Sequence, residues 1–335
     1  IYVQASRVFT KAFDSADDAQ AALRYFKGAV RTTVSATTSN TLQGEQGTQG
    51  YCPHCQQLVT WKNLNTDGTF SGHSYLSTSL IRTGNLSVSS SWVLDLNGYT
   101  LHQENRRFIF NYNSEDLSLV ILDSWGGGKL QGTGTGNAEG GLFYFWKNST
   151  FELLSGTLCL AAPVKDTTPT ENIVKTGGIM NVTNGVNIII SGGVVSGGSV
   201  TATDGTGGNI SMNGTTGKLT VTGGIIRNGN AAGLNGGNIY SSAPVEISGG
   251  VIMGGDAKNG GNIYTTGTCE ITGGLIINGN ATTNGGNLYP YGSADINAGL
   301  ISGGTATTAG GNIGIYGNEV EISDNAVIIG GSATA

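Results

Sequence analysis

One short unit recurs along the C-terminal half of the chain, and its recurrence restricts the fold more than any other feature. "VTGGIIRNGNAAGLNGGNIY" starts at Val221, "ISGGVIMGGDAKNGGNIY" at Ile247 and "ITGGLIINGNATTNGGNLY" at Ile271. "INAGLISGGTATTAGGNIG" follows from Ile296 and "ISDNAVIIGG" from Ile322, so the starts are 26, 24, 25 and 26 residues apart. A looser copy, "ISGGVVSGG", precedes them at Ile190. A persistent period in the twenties is the mark of a solenoid, in which each repeat buries its apolar face only against its neighbours.

Local periodicity selects the kind of solenoid. The apolar runs are short, punctuated by Gly-Gly, Asn-Gly and Gly-Asn, and none carries ten residues of helical pattern. Ahead of each Gly-Gly the apolar residues alternate: Leu219/Val221, Val245/Ile247, Cys269/Ile271, Ala294/Ile296 and Val320/Ile322. Alternation over so few residues is strand behaviour and places these pairs on the inward face. Three short strands per coil with glycine at the corners predict an all-β fold, a right-handed parallel β-helix of roughly ten coils and ~45–50 Å length. Asn209, Asn238, Asn262, Asn287 and Asn312 recur just after Gly-Gly and are expected to stack as a column of amides. Ala231, Ala257, Ala281 and Ala306 form a column of small residues.

Upstream the pattern changes. Residues 1–14 read as an N-terminal arm: in extended form Ile1, Val3, Ala5, Arg7, Phe9, Lys11 and Phe13 share one face. "SADDAQAALRYFKG" (15–28) reads as a capping helix, with Ser15 as N-cap, Asp17 and Asp18 in the first turn and Gly28 as the stop. Residues 29–74 are expected to be a linker holding a CxxC segment, and 75–335 the β-helix.

"NGNATTNGGNLY" and "GGDAKNGGNIY" resemble the repeat of polymorphic outer-membrane proteins and related β-helical adhesins, whose "F-x-G-N-x-A…G-G-A-I-Y"-type unit builds a pectate-lyase-like helix. The likeness covers about the last 150 residues, with Asn here where that repeat has Ala after Gly-Gly. "CPHC…GHSYL…LDLNGYTL", from Cys52 to Leu101, is similar to the opening of adhesin-like β-helix proteins of anaerobic gut bacteria. The resemblance implies surface display or adhesion.

Composition narrows the functional classes. With 57 glycines but no G-X-Y period, collagen is excluded. Charged residues make up 11% of the 335, and the net charge of −6 disfavours nucleic acid as a partner. No apolar run is long enough to span a bilayer. A chain that starts at Ile1 suits a mature form whose secretion signal has been removed, hence an extracellular or cell-surface protein.

Three sets of residues could carry chemistry. Glu246, Glu270, Asp295 and Glu321 lie between the inward pairs, one per coil, so they should form an outward acidic line with ~4.8 Å spacing. That spacing suits Ca2+ or a basic partner and approaches the separation of paired glycosidase carboxylates, but equally suits a solvated edge kept charged against lateral pairing. From residue 176 onward only Lys218, Arg227 and Lys258 are basic, so no cation recurs beside the line to assist catalysis. Tyr240, Tyr264 and Tyr289 should form an outward aromatic ladder that stops at Gly314, either structural or able to stack sugar rings. Cys52 and Cys55 have the spacing of a zinc knuckle, with His54 or His73 as further ligands, and equally that of a local disulfide.

These features favour a secreted structural or adhesive protein over an enzyme, with no required cofactor. Its partners are expected to be further copies of itself and a carbohydrate or host surface. The final "NAVIIGGSATA" is still in repeat, so Val327 and Ile329 are expected near an open strand edge. Arg7 and Lys11 of another copy's arm would then dock on the acidic line, building an end-to-end filament. The alternative is a β-helix that binds or degrades polysaccharide as a lyase or glycoside hydrolase.

Overall fold

The computed structural model describes residues 2–5, 9–12, 49–104, 106–110, 116–133, 139–161, 176–200, 202, 204–316 and 318–334. The expected helix at 15–28 and residue Arg7 lie outside them. Two compact units divide the chain, 1–63 and 64–335, so the second begins ahead of the boundary expected at 75.

In the first unit the N-terminal arm is not one extended strand. Tyr2–Ala5 pairs antiparallel with Phe9–Ala12, with Tyr2 opposite Ala12. A strand that folds back satisfies its backbone groups locally, which a lone extended arm cannot do. Gln49–Cys52 and Gln57–Asn63 form a second antiparallel hairpin, so part of the segment expected as linker is ordered sheet. Its turn closes through Gln56 N–H to Cys52 C=O (2.8 Å), with Gln56 at φ 55°. The indole of buried Trp61 donates to Gly50 C=O at 3.3 Å.

Among its described residues the second unit is all-β apart from one turn of helix, Leu64–Asp67. Its strands form parallel stacks, and the chain visits them in a fixed order. A first stack runs from Gly72–Tyr75 and Trp92–Asp95 through to Cys269–Ile271, Ala294–Ile296 and Val320–Ile322. After a corner comes a second stack, from Leu80–Thr83 to Leu300–Ser302 and Val327–Ile329. A third stack runs from Leu86–Val88 to Leu288–Pro290. In the C-terminal coils a short fourth stack, with its column of Ala231, Ala257, Ala281 and Ala306, stands between the second and third.

Inward residues of these strands form one apolar cluster. Leu219, Val221, Val245, Ile247, Cys269, Ile271, Ala294 and Ile296 are all buried, as alternation requires. Ile322, expected inward, is 52% exposed, since no described strand pairs beyond its own in that stack. In the N-terminal coils the core is aromatic, with Phe108 against Phe143 (5.4 Å) and Phe143 against Phe151 (5.7 Å). There the spacing between paired strands is uneven: Gly72 pairs with Trp92, Leu119 with Phe151, and Phe151 with Ile188.

The repeated Gly-Gly-Asn supplies the internal order of the C-terminal coils. The first glycine turns the corner at positive φ, as at Gly260 (62°) and Gly285 (63°). The second has another reason: a Cβ on Gly261 would collide with the carbonyl of Gly286 in the next coil. The asparagine then enters the interior, where Asn209, Asn238, Asn262 and Asn287 are fully buried. Each donates from Nδ2 to the Oδ1 of the next (2.7, 2.7, 2.7 and 2.9 Å, ending on Asn312). The second Nδ2 proton of Asn262 goes to Ile277 C=O (2.9 Å), and its Oδ1 also accepts Gly255 N–H (3.0 Å). All four hydrogen-bonding positions of the amide are therefore filled.

Replacing Asn262 by Ala should orphan one Nδ2 proton of Asn238 and the N–H of Gly255, while Ile277 C=O and Asn287 Oδ1 keep the N–H groups of Gly254 and Gly279. At ~1–3 kcal/mol per buried unsatisfied group, a loss of at least about 2 kcal/mol is expected in urea or thermal unfolding. A variant that unfolds with the wild type would mean the ladder contributes nothing net.

Candidate functional site

The acidic line is built as the alternation requires. Thr220, Glu246, Glu270, Asp295 and Glu321 are direct cross-strand neighbours in the first stack. Glu270, Asp295 and Glu321 are exposed, and Glu246 is partly covered. Lys218, beside Thr220, places Nζ 2.9 Å from both carboxylate oxygens of Glu246. This exposed pair contributes little to stability, but it neutralises one end of the line. Thr272 and Asn297 flank the line on its outer face, and Ser323 Oγ donates to Asn297 Oδ1 at 3.0 Å. Like charges at one-strand spacing repel, and water screens them here because the column faces solvent. Chemically it is a charged ridge suited to hard cations or basic groups. Lys11 is placed in the hairpin strand Phe9–Ala12, and Arg7 lies outside the described residues.

The tyrosines stack, but not as an open stripe. Tyr240 and Tyr264 lie 5.6 Å apart at 8°, and Tyr264 and Tyr289 5.5 Å apart at 17°. Their faces are thus occupied by one another, and Tyr264 and Tyr289 are 8% and 7% exposed. Burial, with the neighbouring tyrosines adding to it, pushes the Tyr264 hydroxyl up to about 12. Beyond Tyr289, Gly314 takes the next place because a Cβ there would press on the Tyr289 ring. The aromatic series sidesteps rather than stops: Tyr291 and Tyr316 stack 5.3 Å apart and are exposed. A sugar ring needs a free aromatic face, and Tyr264, stacked between Tyr240 and Tyr289, offers none.

Cys52 and Cys55 stand at the turn of the first unit's second hairpin, while His73 belongs to the second unit. The two cysteines are not joined as a disulfide, and Cys55 N–H points at Cys52 Sγ (3.4 Å). Burial pushes the Cys52 thiol up to about 11. The two sulfurs are the right donor type for a soft divalent cation, which would have to displace the protons it finds there. Cys269 is a core residue of the first stack, its thiol pushed up to about 12 by burial and then by Asp295.

Two further groups of residues emerge from the structure. On the outward side of the second stack, Val194, Ile225, Val251, Leu275, Leu300 and Val327 fall in one column. Two residues on, a second column runs through Ser196, Arg227, Met253, Ile277, Ser302 and Ile329. Leu275, Val327 and Ile329 are 41%, 48% and 55% exposed. The signal was present in the sequence: an unbroken apolar triplet follows Gly-Gly in "GGVIM" and "GGLII", and a strand can bury only its middle residue. Farther up the same face the column turns polar, with His102 buried and Gln131 and Cys159 half-buried. Gln131 Nε2 donates to His102 Nδ1 (2.6 Å), and Cys159 Sγ lies 3.9 Å from Gln131 Oε1. Burial lowers the His102 pKa, with Glu104 opposing.

The second group holds the corner between the first two stacks in the N-terminal coils. Asp95 Oδ1 accepts the N–H groups of Asn97 and, from the next coil, Ser124 (both 2.8 Å). Asp123 Oδ1 accepts Gly98 N–H (2.7 Å), and its Oδ2 accepts Gly128 N–H (2.8 Å). These are turn-forming carboxylates whose signature is the Asp placed just ahead of "LNG" and "SWGGG". Burial nevertheless dominates at Asp95 and raises its carboxyl to about 6, against the lowering by Ser124 and Asn97.

A carboxyl raised in the folded state favours folding at low pH and loses that contribution as pH rises through its folded value. From about 4 to about 6 the loss amounts to roughly 3 kcal/mol. Asp95→Asn keeps an acceptor for both N–H groups and cannot ionise. Its stability relative to wild type should improve by about that amount between pH 4 and pH 7, read from urea unfolding at each pH. A constant difference would mean Asp95 does not titrate in this window.

No protein-family profile, curated sequence or solved structure matches the chain. Among the described residues, no helix is long and apolar enough to cross a membrane.

Proposed function

We propose that residues 64–335 close into a right-handed parallel β-solenoid and that the chain is a non-enzymatic structural or adhesive protein, secreted or displayed at a cell surface. One observation carries this reading: the exterior is organised in columns of like residues. Glu246, Glu270, Asp295 and Glu321 stand in one column, and Val251, Leu275 and Leu300 in another. Catalysis needs unlike groups converging on one reacting atom, an acid beside a base or a nucleophile beside its activator. A surface that repeats the same group at every step instead binds many times weakly along a line, as a fibre, a glycan coat or another repetitive surface requires.

The fixed order in which the chain visits its stacks, and the single apolar cluster between them, support the solenoid. The column of filled amides supports rigidity, since bending would lengthen the Asn–Asn hydrogen bonds that join successive repeats. Association with further copies belongs to this proposal, as does attachment to a carbohydrate or host surface through the exposed columns.

Negative-stain electron microscopy of the purified chain should show straight rods or filaments. Incubation with a panel of polysaccharides should release neither reducing ends nor unsaturated products. Turnover of any polysaccharide that Glu270→Gln abolishes would replace this reading with an enzymatic one.

A further inference from the structure

The geometry points to a face on the second stack through which two copies of this chain pair side by side, an inference that rests on the structural-protein reading above. The outward columns centred on Val251, Leu275, Leu300, Met253 and Ile277 make a strip that is apolar over successive rungs. Six rungs at ~4.8 Å give it a length of about 24 Å. Leu275, in the middle of the strip, is 41% exposed, so the strip meets water along its length. An apolar surface of this continuity on an otherwise polar exterior marks a contact rather than chance.

The occupant follows from period and charge. Side chains on parallel rungs make ridges that repeat at the strand spacing, and the surface that interdigitates with them along the whole strip has the same repeat. A second copy supplies it, packed face to face as sheets pack, at ~10 Å separation. A lipid surface fits less well: the acidic column stands on the same strands as the strip, with Glu270 and Leu275 both in Cys269–Ile277, and would face anionic headgroups.

The acidic column also selects the orientation, because it borders the strip on one side only. Two copies related by a two-fold axis along the stack place their acidic columns on opposite flanks. Reversing one copy would bring both columns to the same flank, where they repel. The expected unit is therefore a parallel, closed dimer rather than an open chain. The contact is short compared with the ~1,200–2,000 Å2 of stable interfaces, so pairing should be weak and concentration-dependent.

The test is sedimentation velocity and small-angle scattering on the full chain over a hundredfold range of concentration. With rising concentration the mass should approach twice the monomer value while the cross-section grows and the length stays constant. The double variant Val251→Lys/Leu275→Lys should remain monomeric with wild-type circular dichroism, and Ser248→Lys, on the flank of the acidic column, should pair as wild type does. Should the double variant fold poorly, Leu275→Thr keeps a strand-forming side chain and should weaken pairing by about tenfold. A wild type that stays monomeric throughout, variants that pair undiminished, or growth in length at constant cross-section would each overturn the inference. Straight rods without enzymatic turnover would still be expected in that case, so the two readings fail separately.

Discussion

The buried amide column from Asn209 to Asn312 is the constraint from which most of the C-terminal architecture follows. An asparagine can enter an apolar interior only if its two protons and its oxygen all find partners, and here each coil supplies them in the same places. The arrangement works at one rise per coil and one side-chain position. It therefore requires two glycines ahead of each asparagine, one to turn and one to let neighbouring backbones approach. It also fixes the register of the strands that follow. Once Asn262 sits on Asn287, Ile263 must sit on Leu288 and Tyr264 on Tyr289, as they do.

Exact stacking inside forces stacking outside. If every coil is a translated copy of the last, a residue type allowed at one outward position is copied into a column. That is how a single glutamate per repeat becomes a ridge of charge and a single leucine becomes a strip. Amplification of this kind gives a plain sequence a strongly patterned surface. The N-terminal coils show the contrast. There the sequence separation of paired positions varies from one pairing to the next, phenylalanines fill the core, and Asp95 and Asp123 hold the corner by accepting backbone N–H groups. The face that carries the apolar strip lower down holds buried His102 and half-buried Gln131 instead.

Much of the C-terminal half was legible because its information is local. The glycine and asparagine spacing, and the alternation of Val245 with Ile247 around Glu246, involve neighbours within a few residues, and they translate directly into inward and outward columns. The tyrosines show where local reading ends. Period and spacing place Tyr264 and Tyr289 in register, but their exposure depends on adjacent rings closing over one another. Tyr291 and Tyr316 join the series through a sidestep made necessary by Gly314. The apolar triplets were equally visible as letters. That Leu275 faces solvent while Ile276 is buried follows only once the strand's pairing is known.

The sequence by itself determined the all-β character, the coil length, the amide column and the acidic line, since each is a periodic property of the chain. Tertiary structure alone decided what no period encodes. It folded the N-terminal arm back on itself, because unpaired backbone groups seek the nearest partner. It raised the pKa of Asp95, because burial depends on what the rest of the chain places around a carboxylate. And it turned scattered apolar triplets into one continuous strip, because adjacency across coils is a property of the stacked chain and not of any single repeat.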